Sequence, residues 1–163
     1  MAALVLATLR RLVSIVVICL YAFMCVAVLA QVIGRYVFNF SIDGAVESAT
    51  FAQIWMVLLG TGVAMRLNMH NSMDMFATRI PLPLFRALLV VSAIFCLWFL
   101  GITIWGSRPL LEIGEFQTSP SLDVPMWMPY AAVPIGCAYL ALEFILFTVK
   151  QWAGPQEQAP SIE

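Results

Sequence analysis

The sequence has 163 residues, of which 63% are apolar and only 10% are charged, and its mean hydropathy is +0.96. Soluble domains average about 25% charged residues and about 45–50% apolar residues. This composition excludes an ordinary water-soluble globule and indicates a membrane protein. The net charge of −1, without a basic patch, also excludes a nucleic-acid-binding surface. The length fits a single membrane domain over 1–163.

Four stretches with almost no charge follow one another along the chain. A helix needs about 20 mostly apolar residues to cross the hydrocarbon core of a bilayer. We therefore predict an all-α protein with four transmembrane helices, at 12–34, 47–66, 85–107 and 127–149. The apolar run of the first exceeds the roughly 7–15 residues of a signal peptide, so we expect an uncleaved helix.

The basic residues divide unequally between the two predicted sides of the membrane. Basic residues in short loops favour the cytoplasmic side. One side holds Arg10, Arg11, Arg66, Arg79, Arg86 and Lys150, and the other holds Arg35 and Arg108. This bias predicts that both termini and the loop between helices two and three are cytoplasmic, and that the third loop faces outward.

The loop between helices two and three carries a helical pattern of its own. Met69, Met73, Phe76 and Ile80 recur at helical spacing, with polar residues between them. Such a pattern predicts a short amphipathic helix, about 69–80, lying in the membrane interface. At the far end of the chain we expect a flexible tail at 153–163.

The residue types that carry catalysis or bind cofactors are sparse. His70 is the single histidine, which excludes bis-histidine haem ligation within the chain and disfavours a haem-bearing anchor for a respiratory enzyme. The four cysteines lie scattered in apolar runs without a metal-ligand spacing. Nucleophile, zinc-protease and phosphate-loop motifs do not occur. We therefore expect neither an enzyme nor a cofactor or metal in this chain.

Three residues inside the predicted spans call for a partner. Glu143 is the one acidic residue within a span, and we expect it to snorkel or to pair with a group on another chain. Trp55 and Trp98 fall near the middle of spans two and three, where an indole N–H needs a partner. Packing against a second protein fits both tryptophans better than lipid.

Several short motifs occur in a fixed order along the chain. They are Gly34-Arg35-Tyr36, Glu47 opening span two, Leu59-Gly60-Thr61-Gly62, Ala64-Met65-Arg66, His70 and Asp74, residues 118–127 (TSPSLDVPMW), Tyr130, and Pro134-Ile135-Gly136. In order and spacing they resemble the small membrane subunit, DctQ-like, of tripartite ATP-independent periplasmic (TRAP) transporters. The resemblance covers about residues 10–150.

This resemblance implies a function and a set of partners. Such a subunit lies in the bacterial inner membrane and supports a large membrane subunit, which carries the sodium and substrate sites and imports an organic acid by symport. It also helps to dock a periplasmic substrate-binding protein. The alternative is a small carrier or channel that acts alone as a homo-oligomer.

The resemblance and the residue chemistry together select candidate interface or structural residues. We expect an Arg35–Glu47 ion pair at the outer ends of spans one and two, and Arg66, His70 and Asp74 to orient the inner loop. The full set is Arg35, Glu47, Trp55, Arg66, His70, Asp74, Trp98, Trp127, Tyr130 and Glu143. Members of the family often carry a pair of acidic residues where this chain has Glu47 alone within the motif.

Overall fold

A computed structural model describes residues 2–40, 42, 44–67 and 82–153, and these are predominantly helical. The helices are α1 Ala2–Val37, α2 Ala45–Arg66, α3 Leu82–Gly106, α4 Arg108–Phe116, α5 Trp127–Tyr130 and α6 Ala132–Ala153. Within the described part, four helical stretches are long and apolar enough to cross a membrane: Leu4–Val37, Ala45–Arg66, Arg86–Phe116 and Trp127–Trp152. The prediction of an all-α chain with four such helices is confirmed.

The first helix is longer than predicted. It begins at Ala2 rather than at residue 12, because Leu, Ala and Arg all favour helix and the segment contains no Gly or Pro. Its 36 residues span about 54 Å, against about 30 Å for the hydrocarbon core. Arg10 therefore lies within a continuous helix and not in a loop before it.

The third span ends in a second helix that the sequence analysis did not predict. The chain turns at Ser107, where the backbone N–H donates to the carbonyl of Thr103 at 3.0 Å. Pro109 follows in the first turn of α4, where its missing N–H is tolerated. Helix α4 thus fills the first half of the third loop, which was predicted to face outward.

The fourth span is interrupted near its start. Helix α5 ends at Tyr130, and α6 begins at Ala132 after a turn at Ala131. Pro134 cannot donate to the carbonyl four residues earlier, and its ring crowds that position, which is Tyr130. The interruption therefore follows from Pro134.

Helix α2 lies at the centre of the bundle and packs against both α1 and α6, and α3 packs on the other side of α6. Two glycines bring α2 and α6 together. A Cβ at Gly62 would lie 2.5 Å from the ring of Tyr139, and one at Gly136 would lie 2.6 Å from Cβ of Leu58. Gly62 of α2 and Gly136 of α6 thus permit the two helices to approach closely.

The buried apolar side chains of the described residues lie on α2, α3 and α6. Helix α1 and the outer face of α3 instead expose large apolar side chains, which in a membrane contact lipid or another protein. The predicted interfacial helix at 69–80, with His70 and Asp74, lies outside the described residues, as does the tail beyond Ala153.

Candidate functional site

A buried ion pair joins the first and last helices. The Arg10 guanidinium donates from Nε to Oε1 of Glu143 at 2.8 Å and from Nη2 to Oε2 at 2.5 Å. The Glu143 side chain is 1% exposed and that of Arg10 is 28% exposed. Two parallel bonds between a guanidinium and a carboxylate form the strongest common geometry of such a pair. The pair therefore fixes both the distance and the register between α1 and α6.

Tyr139 donates a further hydrogen bond to the Glu143 carboxylate. It lies one turn before Glu143 on α6, and its hydroxyl donates to Oε1 at 3.1 Å. The Tyr139 side chain is itself buried, against Gly62 of α2. Because a buried charge is tolerated only when it is paired and hydrogen-bonded, these three bonds explain how Glu143 can lie inside an apolar helix.

A second arginine extends the network to α2. Arg66 donates from Nη2 to Oγ of Ser14 at 3.1 Å, and the Ser14 hydroxyl donates to the backbone carbonyl of Arg10 at 2.9 Å. Arg10, Ser14, Arg66, Tyr139 and Glu143 thus connect three helices at one end of the bundle. We call this the arginine end, and the end that holds α4 and residues 117–126 the loop end.

The structure corrects the prediction for Glu143. Its partner is Arg10 of the same chain and not a group on another chain, and the carboxylate does not snorkel to the surface. Sequence reasoning missed Arg10, Tyr139 and Ser14 because it placed Arg10 outside the first span. The signal was nevertheless present, since an acidic residue within a span requires a cation at similar depth.

At the loop end, Glu47 joins α2 to the segment 117–126. Its Oε2 accepts a hydrogen bond from the backbone N–H of Ser121 at 3.1 Å. Gly44, just before α2, has φ = 84°, and a Cβ there would lie 2.6 Å from Cδ2 of Leu122. The predicted Arg35–Glu47 ion pair is wrong: both residues are described, and the described ion pair is that of Arg10 with Glu143.

The segment 117–126 is held by its own backbone. The N–H of Ser119 donates to the carbonyl of Val124 at 2.9 Å, and that of Met126 donates to the carbonyl of Gln117 at 2.9 Å. The Ser119 side chain is 1% exposed and accepts from the N–H of Leu122. This local network gives the loop a defined shape, although it contains only an isolated β-bridge.

Helix α4 packs on α5 through Gly114. A Cβ at Gly114 would lie 2.8 Å from both the backbone nitrogen of Trp127 and Cδ2 of Tyr130, so this contact places both aromatic residues at the loop end. The opposite face of α4 is exposed and carries Glu112, Ile113, Glu115 and Phe116. The loop end therefore presents a surface that is both acidic and apolar.

The predicted site residues do not form one site but are divided mainly between the two ends of the helix bundle. Arg66 and Glu143 belong to the arginine-end network, whereas Glu47, Trp127 and Tyr130 lie at the loop end. Arg35 is exposed near the end of α1. Trp55 is half-buried and the Trp98 side chain is 64% exposed, so their role at an interface stays a prediction.

In the ranges that the structure describes, no three His, Cys, Asp or Glu side chains are grouped to hold a metal ion. Cys19, Cys25, Cys96 and Cys137 are all free thiols. The polar groups of the arginine end hold helices together. Among the described residues, Glu143 neutralises Arg10, and Arg66 bonds to a neutral hydroxyl.

Comparison with known proteins agrees with the resemblance drawn from the motifs. The family model described as "Tripartite ATP-independent periplasmic transporters, DctQ component" matches residues 24–154. A C4-dicarboxylate TRAP transporter small permease protein, DctQ, of Vibrio cholerae serotype O1 is 30% identical, over 71% of this chain and 60% of that protein. The protein of the same description from Rhodobacter capsulatus is 28% identical, over 56% of this chain and 41% of its own length.

A third relative has a different name and a different size. It is an isethionate TRAP transporter permease protein, DctMQ, of Oleidesulfovibrio alaskensis, and it is 24% identical over 71% of this chain. The match covers 19% of that protein. The chain thus spans about 60% or less of the length of each of these relatives.

Proposed function

Because this chain belongs to the DctQ component family of TRAP transporters, we propose that it is the small permease subunit of a binding-protein-dependent importer of an organic anion. The match over residues 24–154 carries this proposal. Membership of a family of transport components also confirms that the chain is not an enzyme. The partners proposed here are a large, sodium-coupled membrane subunit and a periplasmic binding protein.

The internal bonding of the polar groups supports a scaffold role. Glu143, the acidic residue buried in a span, has three hydrogen bonds to Arg10 and Tyr139. A carboxylate held in this way is a poor carrier of an ion across the membrane, since coupling requires it to be released. By contrast, α3 exposes Phe95, Trp98 and Trp105, which fits packing against a large partner subunit.

The charge distribution supports an orientation with both ends of the chain in the cytoplasm. The arginine end carries Arg10, Arg11 and Arg66, which the positive-inside rule assigns to the cytoplasmic side. The loop end would then face the periplasm. Its exposed acidic and apolar side chains on α4 are suited to contribute to docking of the binding protein.

The substrate class is proposed from the relatives. Two of them are named for C4-dicarboxylates and the third for isethionate. Their common feature is a small organic anion, so we propose that class for the complete transporter. The site that selects it would lie on the partner chains.

The test is reconstitution of the chain alone and with its partners. Proteoliposomes that contain this chain, the large subunit and the binding protein should take up a labelled C4-dicarboxylate under an inward sodium gradient. Omission of this chain should abolish uptake or reduce it strongly. Uptake or ionic current from this chain alone would overturn the proposal and favour the stand-alone carrier.

A further inference from the structure

The arginine end contains an open cavity of about 620 Å³ between α1 and α2. It is lined by Leu6, Ala7, Arg10, Arg11, Ser14 and Arg66. From this lining we propose that the cavity binds the headgroup of an anionic phospholipid, with the lipid phosphate held by the guanidinium groups of Arg11 and Arg66.

The described residues do not balance the charge of the cavity. Among them Glu143 compensates Arg10, but the described lining contains no acidic side chain opposite Arg11 or Arg66. The other acidic residues of the described part lie at the loop end, on α2, α4 and residues 117–126. Two uncompensated guanidinium groups on one cavity form a site for an anion with several acceptor oxygens.

The cavity is held in shape before any ligand enters. The Ser14 hydroxyl donates to the backbone of Arg10, so its oxygen is oriented to accept from Arg66. The Arg10–Glu143 pair in turn holds this turn of α1 against the bundle. Among the described residues, the hydrogen-bond partner of the Arg66 guanidinium is a neutral hydroxyl, reached through Nη2, so no described carboxylate neutralises its charge.

The position of the cavity favours a lipid over a soluble anion. It lies within the apolar stretch Leu4–Val37, near the end of the span. Ile15 and Ile18 follow Arg11 at helical spacing and are 50% and 66% exposed. A phospholipid with its phosphate at Arg11 could therefore place its acyl chains along this apolar face of α1. Basic pockets between transmembrane helices near the membrane surface are typical sites for anionic headgroups.

The experiment measures lipid selectivity of the full chain. Nanodiscs that contain equal amounts of phosphatidylglycerol and phosphatidylcholine are prepared with the full-length protein, which is then released into detergent for native mass spectrometry. We expect retained phosphatidylglycerol to exceed phosphatidylcholine, and Arg11→Gln with Arg66→Gln to reduce that preference by about tenfold or more. Equal retention of the two lipids by the unaltered chain would overturn the proposal.

A charge-matched control comes from the loop end. Arg35→Gln with Arg108→Gln removes two exposed arginines there and should leave the preference unchanged within about twofold, because screening confines the effect to about 10 Å. An equal loss in this control would overturn the proposal. If the Arg66 change prevents folding, Arg11→Gln alone is the test, because the exposed Arg11 side chain can be replaced without loss of packing.

A separate arm distinguishes a lipid from free phosphate. Thermal unfolding of the delipidated full chain is followed with phosphatidylglycerol, with phosphatidylcholine, and with millimolar inorganic phosphate. Stabilisation by phosphatidylglycerol alone supports the lipid site. Equal stabilisation by inorganic phosphate would overturn it in favour of a soluble anion. Neither outcome bears on the proposed transporter function, because that function is tested separately by uptake into proteoliposomes.

Discussion

The Arg10–Glu143 ion pair predicts unequal effects for replacement of its two members. The Glu143 side chain is 1% exposed and that of Arg10 is 28% exposed. When Glu143→Met removes the carboxylate, the long Arg10 side chain can turn its guanidinium toward the membrane surface. When Arg10→Met removes the cation, Glu143 stays buried with only the Tyr139 hydroxyl as a donor. Arg10→Met should therefore destabilise the chain more.

The magnitude follows from the burial of each group. Loss of one partner of a buried pair costs about 3–5 kcal/mol in soluble proteins, and we expect about 3 kcal/mol for Arg10→Met. For Glu143→Met we expect about 1 kcal/mol, because Arg10 can recover water at the interface. The double replacement should cost less than Arg10→Met alone, since it leaves no unpaired charge.

The assay is the free energy of unfolding in mixed micelles, titrated with SDS and free of anionic lipid. Arg11→Met is the matched control, because it removes an adjacent arginine that is exposed, and it should change stability by no more than about 0.5 kcal/mol. Equal effects of the two single replacements would refute the reasoning from burial. A double replacement that costs the sum of the singles would refute the coupling itself.

Three further predictions concern helix packing, the loop end and the proposed interface. Gly62→Ala should reduce the free energy of unfolding by about 1–3 kcal/mol, because its Cβ would lie 2.5 Å from the Tyr139 ring, and SDS titration measures this. Glu47→Ala should speed hydrogen exchange of the Ser121 amide, which loses its acceptor, as mass spectrometry or NMR can detect. Trp98→Ala should weaken co-purification with the large subunit while leaving the stability of this chain nearly unchanged, since the side chain is 64% exposed.

Each of these predictions has a control. Gly101→Ala adds a Cβ that meets nothing within 4 Å and should be tolerated, so an equal loss at both glycines would argue against the packing explanation. Glu47→Gln keeps an acceptor oxygen and should keep most of the protection at Ser121. Trp152→Ala removes an exposed tryptophan that stacks near Arg86 at the other end of the bundle. Equal loss of co-purification in that variant would contradict a specific role for Trp98.

The helices themselves could be predicted because their signal is local. Charge-free stretches of about 20 residues identify membrane spans, whatever the spans pack against. The bounds were less predictable, because a charge marks where a helix leaves the hydrocarbon and not where its hydrogen bonding stops. Helix α1 continues to Ala2 past Arg10 and Arg11 for this reason. Helix α4 was missed since its apolar face is only a few residues long and lies in an acidic segment.

The pairing of polar groups could not be predicted in the same way. Glu47 and Arg35 share one end of the bundle, yet Glu47 bonds to the backbone of Ser121, 74 positions away along the chain. The presence of Arg35 at the same end of the bundle did not decide the hydrogen-bond partner of Glu47. The fold of residues 117–126 decided it, because this fold places the N–H of Ser121 next to the Glu47 carboxylate.

Sequence alone therefore determined that this chain has four helices long and apolar enough to cross a membrane, that it lacks a recognisable catalytic motif, and that its motifs follow the DctQ order. These properties depend on composition and spacing, which are read along the chain. Only the tertiary structure decided that Glu143 is neutralised by Arg10, 133 positions away, and that Tyr139 and Ser14 complete the network. A buried charge must find its counter-charge in space, and the packing of α1, α2 and α6 selects which one it meets.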